Sequence, residues 1–292
     1  MVAVGLPIAL LLGAIAELAA GVIGRFLGGD RKWWSGVSGI GSDVVRLLKD
    51  RSGDQRVAVV EAGGAAAALL GAGIATAGAL GVGPDDLVLL YLSLAVATVG
   101  AMTVGAVQTT PTGLAESGRR RLIAALAEPA FAIALGTMFL RYGALDLEAV
   151  RGTQQVLGTG AVLGPALATA GLIVAAIALV ASGALKLPAV PAADRRGRGL
   201  RAGAGTALLL RLCRWSLAGA TSLVAGVLLA GGGIDPFSVQ SVIPVAVGAA
   251  GVAIVMGAAG SGLARVPEKW RLAVLGIALV LSGAAAAMVV LA

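Results

Sequence analysis

Eight apolar stretches occupy most of this 292-residue chain, at approximately 3–24, 57–82, 86–107, 121–143, 159–185, 205–232, 238–260 and 270–292. A helix needs roughly 20 mostly apolar residues to cross a bilayer, where the backbone must satisfy its own N–H and C=O groups. With 58% hydrophobic residues, 13% charged residues and a mean hydropathy of +0.96, the chain has too little polar surface to cover a water-soluble globule. The expected fold is an all-α integral membrane protein of about eight transmembrane helices, organised as a single polytopic membrane domain over residues 1–292. The apolar start from Val2 to Ala16 has no basic segment ahead of it and runs into Glu17, so it reads as the first span rather than a cleaved signal. Gly83-Pro84-Asp85-Asp86 divides the second span from the third as a turn followed by a helix start.

The basic residues alternate between loops. Seven lie between spans 1 and 2 (Arg25, Arg31, Lys32, Arg46, Lys49, Arg51, Arg56), none between 2 and 3, and three between 3 and 4 (Arg119, Arg120, Arg121). Arg141 and Arg151 flank spans 4 and 5, Lys186, Arg195, Arg196, Arg198 and Arg201 lie between 5 and 6, and Arg265, Lys269 and Arg271 precede span 8. This pattern explains the pI near 10.5 as a topology signal rather than a nucleic-acid footprint, and predicts both termini outside a bacterial-type cell membrane. After span 1, Trp33 and Trp34 lead into Val37, Ile40, Val44, Val45, Leu47 and Leu48 with Asp43, Arg46, Lys49 and Asp50 interleaved, the pattern of an interfacial amphipathic helix. Such a helix can be a membrane anchor, a docking surface or both.

Cys213 is the only cysteine and histidine is absent, so this chain alone offers no disulfide, iron–sulfur or zinc framework. No serine or lysine has a histidine to activate it, and Gly257 to Gly262 reads as a turn between spans rather than a phosphate loop. A self-contained enzyme is not expected. Gly63 to Leu80 is almost entirely Gly and Ala, which either packs helix backbones closely or reflects composition bias.

Three acids fall within spans. At a rise of about 1.5 Å per residue, Glu128 lies roughly 10 Å below Arg121, Glu17 roughly 12 Å from Arg25 and Glu61 roughly 7 Å from Arg56. Intramembrane acids face partners or water-filled paths, so these three form a candidate proton path at a shared depth, with Glu61 alternatively resting at the interface. Arg211 and Arg214, three apart on one helical face, are candidate charge partners, or else snorkel toward the membrane surface.

The segment Gly118-Arg119-Arg120 followed by Ala125-Leu126-Ala127-Glu128-Pro129-Ala130 resembles a segment in the membrane protein family that respiratory NADH-quinone oxidoreductase (complex I subunit 1) shares with the energy-converting hydrogenases. In the hydrogenase branch (formate hydrogenlyase subunit 4, hydrogenase-4 component C), span 4 begins with a similar pattern at this spacing. Asp43-Val44-Val45-Arg46-Leu47-Leu48, Lys186-Leu187-Pro188 and Arg265-Val266-Pro267-Glu268 are similar to further family segments, so the likeness extends over nearly the whole chain. Departures accompany it. Gln108-Thr109-Thr110 stands where the family has Asp-Thr-Gly, Arg120 replaces a glutamate, and the acid-rich loop between spans 5 and 6 is Ala192-Ala193-Asp194-Arg195-Arg196-Gly197-Arg198.

The resemblance implies a cofactor-free membrane subunit that docks a peripheral arm and couples it to antiporter-like membrane subunits. The arm would comprise an iron–sulfur small subunit and a large catalytic subunit, with [NiFe] chemistry in the hydrogenase branch. Trp33, Trp34, Asp43, Arg46, Arg119, Lys186, Pro188, Arg265 and Glu268 are the implied docking or interfacial residues. The resemblance leaves a quinone site at the inner face open. The lost acids favour an alternative, a scaffold without proton traffic. An independent small-solute transporter would predict two similar halves with interrupted spans, and the sequence shows no convincing repeat.

Overall fold

The computed structural model describes residues 2–28, 59–83, 85–104, 111–150, 163–181, 204–229, 239–263 and 268–291. They form helices α1 (Val2–Leu27), α2 (Val59–Ala79), α3 (Leu87–Thr103), α4 (Pro111–Tyr142), α5 (Leu163–Ala181), α6 (Ala204–Leu229), α7 (Val239–Leu263) and α8 (Glu268–Leu291). One helix falls in each predicted window, yet among the described residues six rather than eight are long and apolar enough to cross a membrane: Val2–Phe26, Val59–Ala79, Arg121–Tyr142, Leu208–Leu229, Val242–Leu263 and Leu272–Leu291. The count of eight spans is thus corrected to six for the described residues, with two shorter apolar helices, Leu87–Thr103 and Gly164–Ile177, in the other windows. For α3 the physical reason is visible. The backbone turns extended at Val104 (φ −71°, ψ 123°), ending the helix after 17 residues, about 25 Å of rise.

The turn expected before α3 is built as the residues dictate. Asp86 caps α3, its Oδ1 accepting from the Val88 and Leu89 amides at 2.6 and 3.3 Å. Gly81, at φ +69°, closes α2 with paired bonds from Gly81 N to Gly78 O and from Val82 N to Ala77 O, a Schellman end that only glycine adopts without strain. The same end of the bundle is stitched by Leu87 N to Leu145 O (2.8 Å) and Leu147 N to Asp85 O (3.2 Å), which tie the start of α3 to the segment after α4.

Several helices run further than their hydropathy windows, and two of these extensions matter. α4 begins at Pro111, ten residues ahead of its apolar stretch, so the Arg119 to Arg121 triplet lies within a continuous helix. Pro111 suits the first helical position because its missing N–H has no intrahelical role there. α7 continues to Leu263, which makes Gly257 to Gly262 helical rather than a turn.

α6 is the hub: it packs on α1, α2, α3, α5 and α7. In its apolar window 78% of residues are buried, against 22% in those of α1 and α8. Close approach depends on small residues. A Cβ at Gly13 or Gly219 would run into the backbone of Trp215 or Ala9, and one at Gly257 would meet Ala16. The Gly/Ala-rich α2 uses the same device in part. Gly71 abuts Ser93 and Ala97, and Gly64 abuts Gly100 and Thr103, while Gly63 touches nothing.

Candidate functional site

Glu17 on α1 and Arg211, Arg214 and Trp215 on α6 form one polar cluster inside the bundle. Spacings of three and four residues place the α6 side chains on one face, and the Gly13 contact with the Trp215 backbone brings α1 within reach. Arg211 Nη2 donates to Glu17 Oε1, while Arg214 Nη2 and Trp215 Nε1 both donate to Oε2. The Arg211 guanidinium also sits 5.4 Å from the Trp215 ring centroid, a cation–π distance. The Glu17, Arg211 and Arg214 side chains are 16%, 13% and 18% exposed. Glu17 is ten residues from Leu27, about 15 Å along α1. Two guanidiniums face one carboxylate, and Arg211 Nε is buried without a hydrogen-bond partner among the described residues.

Glu61, near the start of α2, is 6% exposed. Its Oε2 accepts from Thr206 Oγ1 at 3.0 Å. Thr206 precedes Arg211 by five residues on α6, about 7.5 Å of rise, so one helix supplies partners to both Glu17 and Glu61.

Glu128 is placed differently. Its Oε1 accepts from the Tyr91 hydroxyl of α3 at 3.2 Å, the one polar partner it has among the described residues. Tyr91 is twelve residues from Thr103, about 18 Å along α3, and Thr103 is the residue that lies against Gly64, close to Glu61. The Glu128 contact is thus made from the opposite half of α3. Glu17 and Glu61 are gathered around α6, whereas Glu128 stands apart, and the expected row of three carboxylates at a shared depth is not assembled by contacts among the described residues.

Arg119 falls in α4 and Glu268 opens α8. Trp33, Trp34, Asp43, Arg46, Lys186, Pro188 and Arg265 lie outside the described residues. Sequence reasoning missed three participants: Trp215, Thr206 and Tyr91. Trp215 carried a signal, sitting one turn after Arg211, and Tyr91 is one of only two tyrosines in the chain.

No family model and no curated protein matches the chain. Its structure, however, matches a chain in the structure of the membrane-bound sulfane sulfur reductase (MBS), an archaeal respiratory membrane complex. The TM-score is 0.71 over 98% of this chain and 98% of that one, at 14% identity. The chain shares the fold of a respiratory-complex chain. At 14% identity the likeness is one of fold. The resemblance of the Glu128 segment is one of sequence pattern, and the match to the solved chain is one of fold. The hydrogenase branch is a finer assignment that the match does not reach.

Proposed function

We propose that this chain is a membrane-embedded, cofactor-free subunit of a complex-I-like or group 4 [NiFe]-hydrogenase-like redox assembly. The observation that carries this is the end-to-end fold match to a chain of a respiratory membrane complex. The family-like segments at Asp43, Arg119, Lys186 and Arg265 support it. In this function the segments holding Trp33, Trp34, Asp43, Arg46, Arg119, Lys186, Pro188, Arg265 and Glu268 face the inner side of a bacterial-type cell membrane, with both termini outside. They dock an iron–sulfur small subunit and a large catalytic subunit. Redox cofactors reside in those partners, and antiporter-like subunits adjoin this chain within the bilayer.

Within this account Tyr91 and Glu128 are the strongest candidates for coupling. A phenol hydroxyl and a carboxyl at 3.2 Å form a hydrogen-bonded pair through which a proton can shift, at a depth where few other groups can accept one. Glu128→Gln keeps the shape and a hydrogen-bond acceptor while removing the titratable group. Proton pumping by the purified complex in liposomes is expected to fall about a hundredfold in this variant, the lower end of what positioned acid–base groups contribute. Unchanged pumping removes Glu128 from the path.

A second reading, a scaffold without proton traffic, is favoured by one specific observation. Both oxygens of Glu17 are taken by N–H donors from Arg211, Arg214 and Trp215, an arrangement suited to clamping α1 on α6 rather than to passing protons. Unchanged pumping in Glu128→Gln together with intact assembly selects this reading.

A further inference from the structure

Glu128 lies half-buried at the edge of the bundle. At about 100° per residue, Arg121, Ala125, Glu128 and Ala132 fall within about 60° of one another around α4. Arg121 and Ala125 are exposed, and Glu128 and Ala132 are half-buried. Across the seam, Val88 is one turn from Tyr91 on α3 and is 49% exposed. Among the described residues an acid on this face has a single tyrosine hydroxyl for company.

A second acceptor lies beside it. Pro129 is inside α4 and has no N–H, so the carbonyl of Ala125, four residues earlier, does not receive its ordinary helix bond. Ala125 is one turn before Glu128 on the same exposed face. The patch therefore presents two hydrogen-bond acceptors, one of them acidic, to a medium that supplies no donors, and each is costly there until a donor arrives.

We propose that the Tyr91–Glu128 seam between α3 and α4 is a docking surface for a transmembrane helix of a partner subunit, one that carries an arginine or lysine at mid-depth. A basic side chain supplies both opposite charge and several donors, and a guanidinium can reach the carboxylate and the freed carbonyl together. A lipid amine does not reach the site. Glu128 is seven residues from Arg121 and fourteen from Tyr142, about 10 and 21 Å along the helix. A second copy of this chain is also poorly suited, because the basic side chains that the described spans hold at mid-depth, Arg211 and Arg214, are engaged by Glu17. The inference rests on the proposal that this chain works inside a multisubunit membrane assembly, and it identifies the chemistry of one neighbour there.

The test uses the full chain in its native membranes. A photoreactive phenylalanine analogue is placed at Val88 in one variant and at Ala125 in another. After illumination, the adducts are mapped by mass spectrometry, and an affinity tag on the same chain reports which proteins copurify. The expected result is that both positions label one transmembrane helix of a different protein, with an arginine or lysine within about one turn of the adduct. Glu128→Gln should then lower the adduct yield about tenfold, as should replacement of the partner's basic residue. Labelling of lipid alone, of a second copy, or of a helix without a basic residue overturns the docking surface even if partner subunits copurify, leaving the broader function intact. Absence of any copurifying partner overturns both.

Discussion

Glu17→Leu is expected to destabilise the folded chain by about 3 kcal/mol, because it leaves two guanidiniums facing each other inside the bundle without a counter-charge. The Glu17, Arg211 and Arg214 side chains are all less than one-fifth exposed, so solvent offers little compensation. Thermal unfolding in detergent or nanodiscs measures the loss. The charge count of the cluster makes the expected ranking specific. Arg214→Leu leaves one carboxylate against one guanidinium and should be much milder than Glu17→Leu, while Glu17→Gln, which keeps hydrogen-bonding capacity but loses the charge, should fall between them. A triple change of Glu17, Arg211 and Arg214 to leucine should recover most of the stability, since a packed apolar contact can replace an ion cluster at little net cost. If Glu17→Leu unfolds at the same temperature as the unaltered protein, the cluster is not what holds α1 on α6.

The other large effect is steric. Gly219→Ala adds one methyl group, and that carbon would lie 2.9 Å from the Cα of Ala9 and closer still to the neighbouring carbonyl. The obstacle is backbone, so no side chain can rotate away and α1 must move off α6. Overpacking of this kind costs about 1–3 kcal/mol, and here it also pulls Glu17 from its three donors two turns further along α1. The expected outcome is a loss comparable to that of Glu17→Leu, with resonances or cross-links reporting on the Trp215–Glu17 contact disturbed as well. Gly136→Ala is the matched control. A Cβ there meets nothing within 4 Å, and alanine favours helix by about 1 kcal/mol, so this variant should be neutral or slightly more stable. Equal tolerance at Gly219 and Gly136 contradicts the close α1–α6 crossing.

Much of this architecture was legible in hydropathy because hydrocarbon enforces helices with apolar surfaces, and each apolar window does contain a helix. The cap at Asp86 was also legible, being local chemistry. Helix limits were less so: nothing in hydropathy marks the end of α3 at Thr103, and Pro111 to Gly118 is too polar to announce the first turns of α4. Partnerships were the least accessible. Glu17 could be recognised as an acid at depth, but its donors come from residues almost two hundred positions away, and neither spacing nor composition says that α1 and α6 are neighbours. Glu61 lies near its helix start, and the presence of α6 and Thr206 against it is a tertiary fact. The same holds for Tyr91, whose pairing with Glu128 separates that acid from the other two.

The central claim, that this chain is one subunit of a membrane redox assembly, is tested most directly by tagging it, extracting native membranes in mild detergent and identifying what copurifies by mass spectrometry. The account predicts stoichiometric recovery of an iron–sulfur small subunit, a large catalytic subunit and antiporter-like membrane proteins. Recovery of the chain alone, as a stable folded protein from membranes in which it is natively expressed, contradicts it.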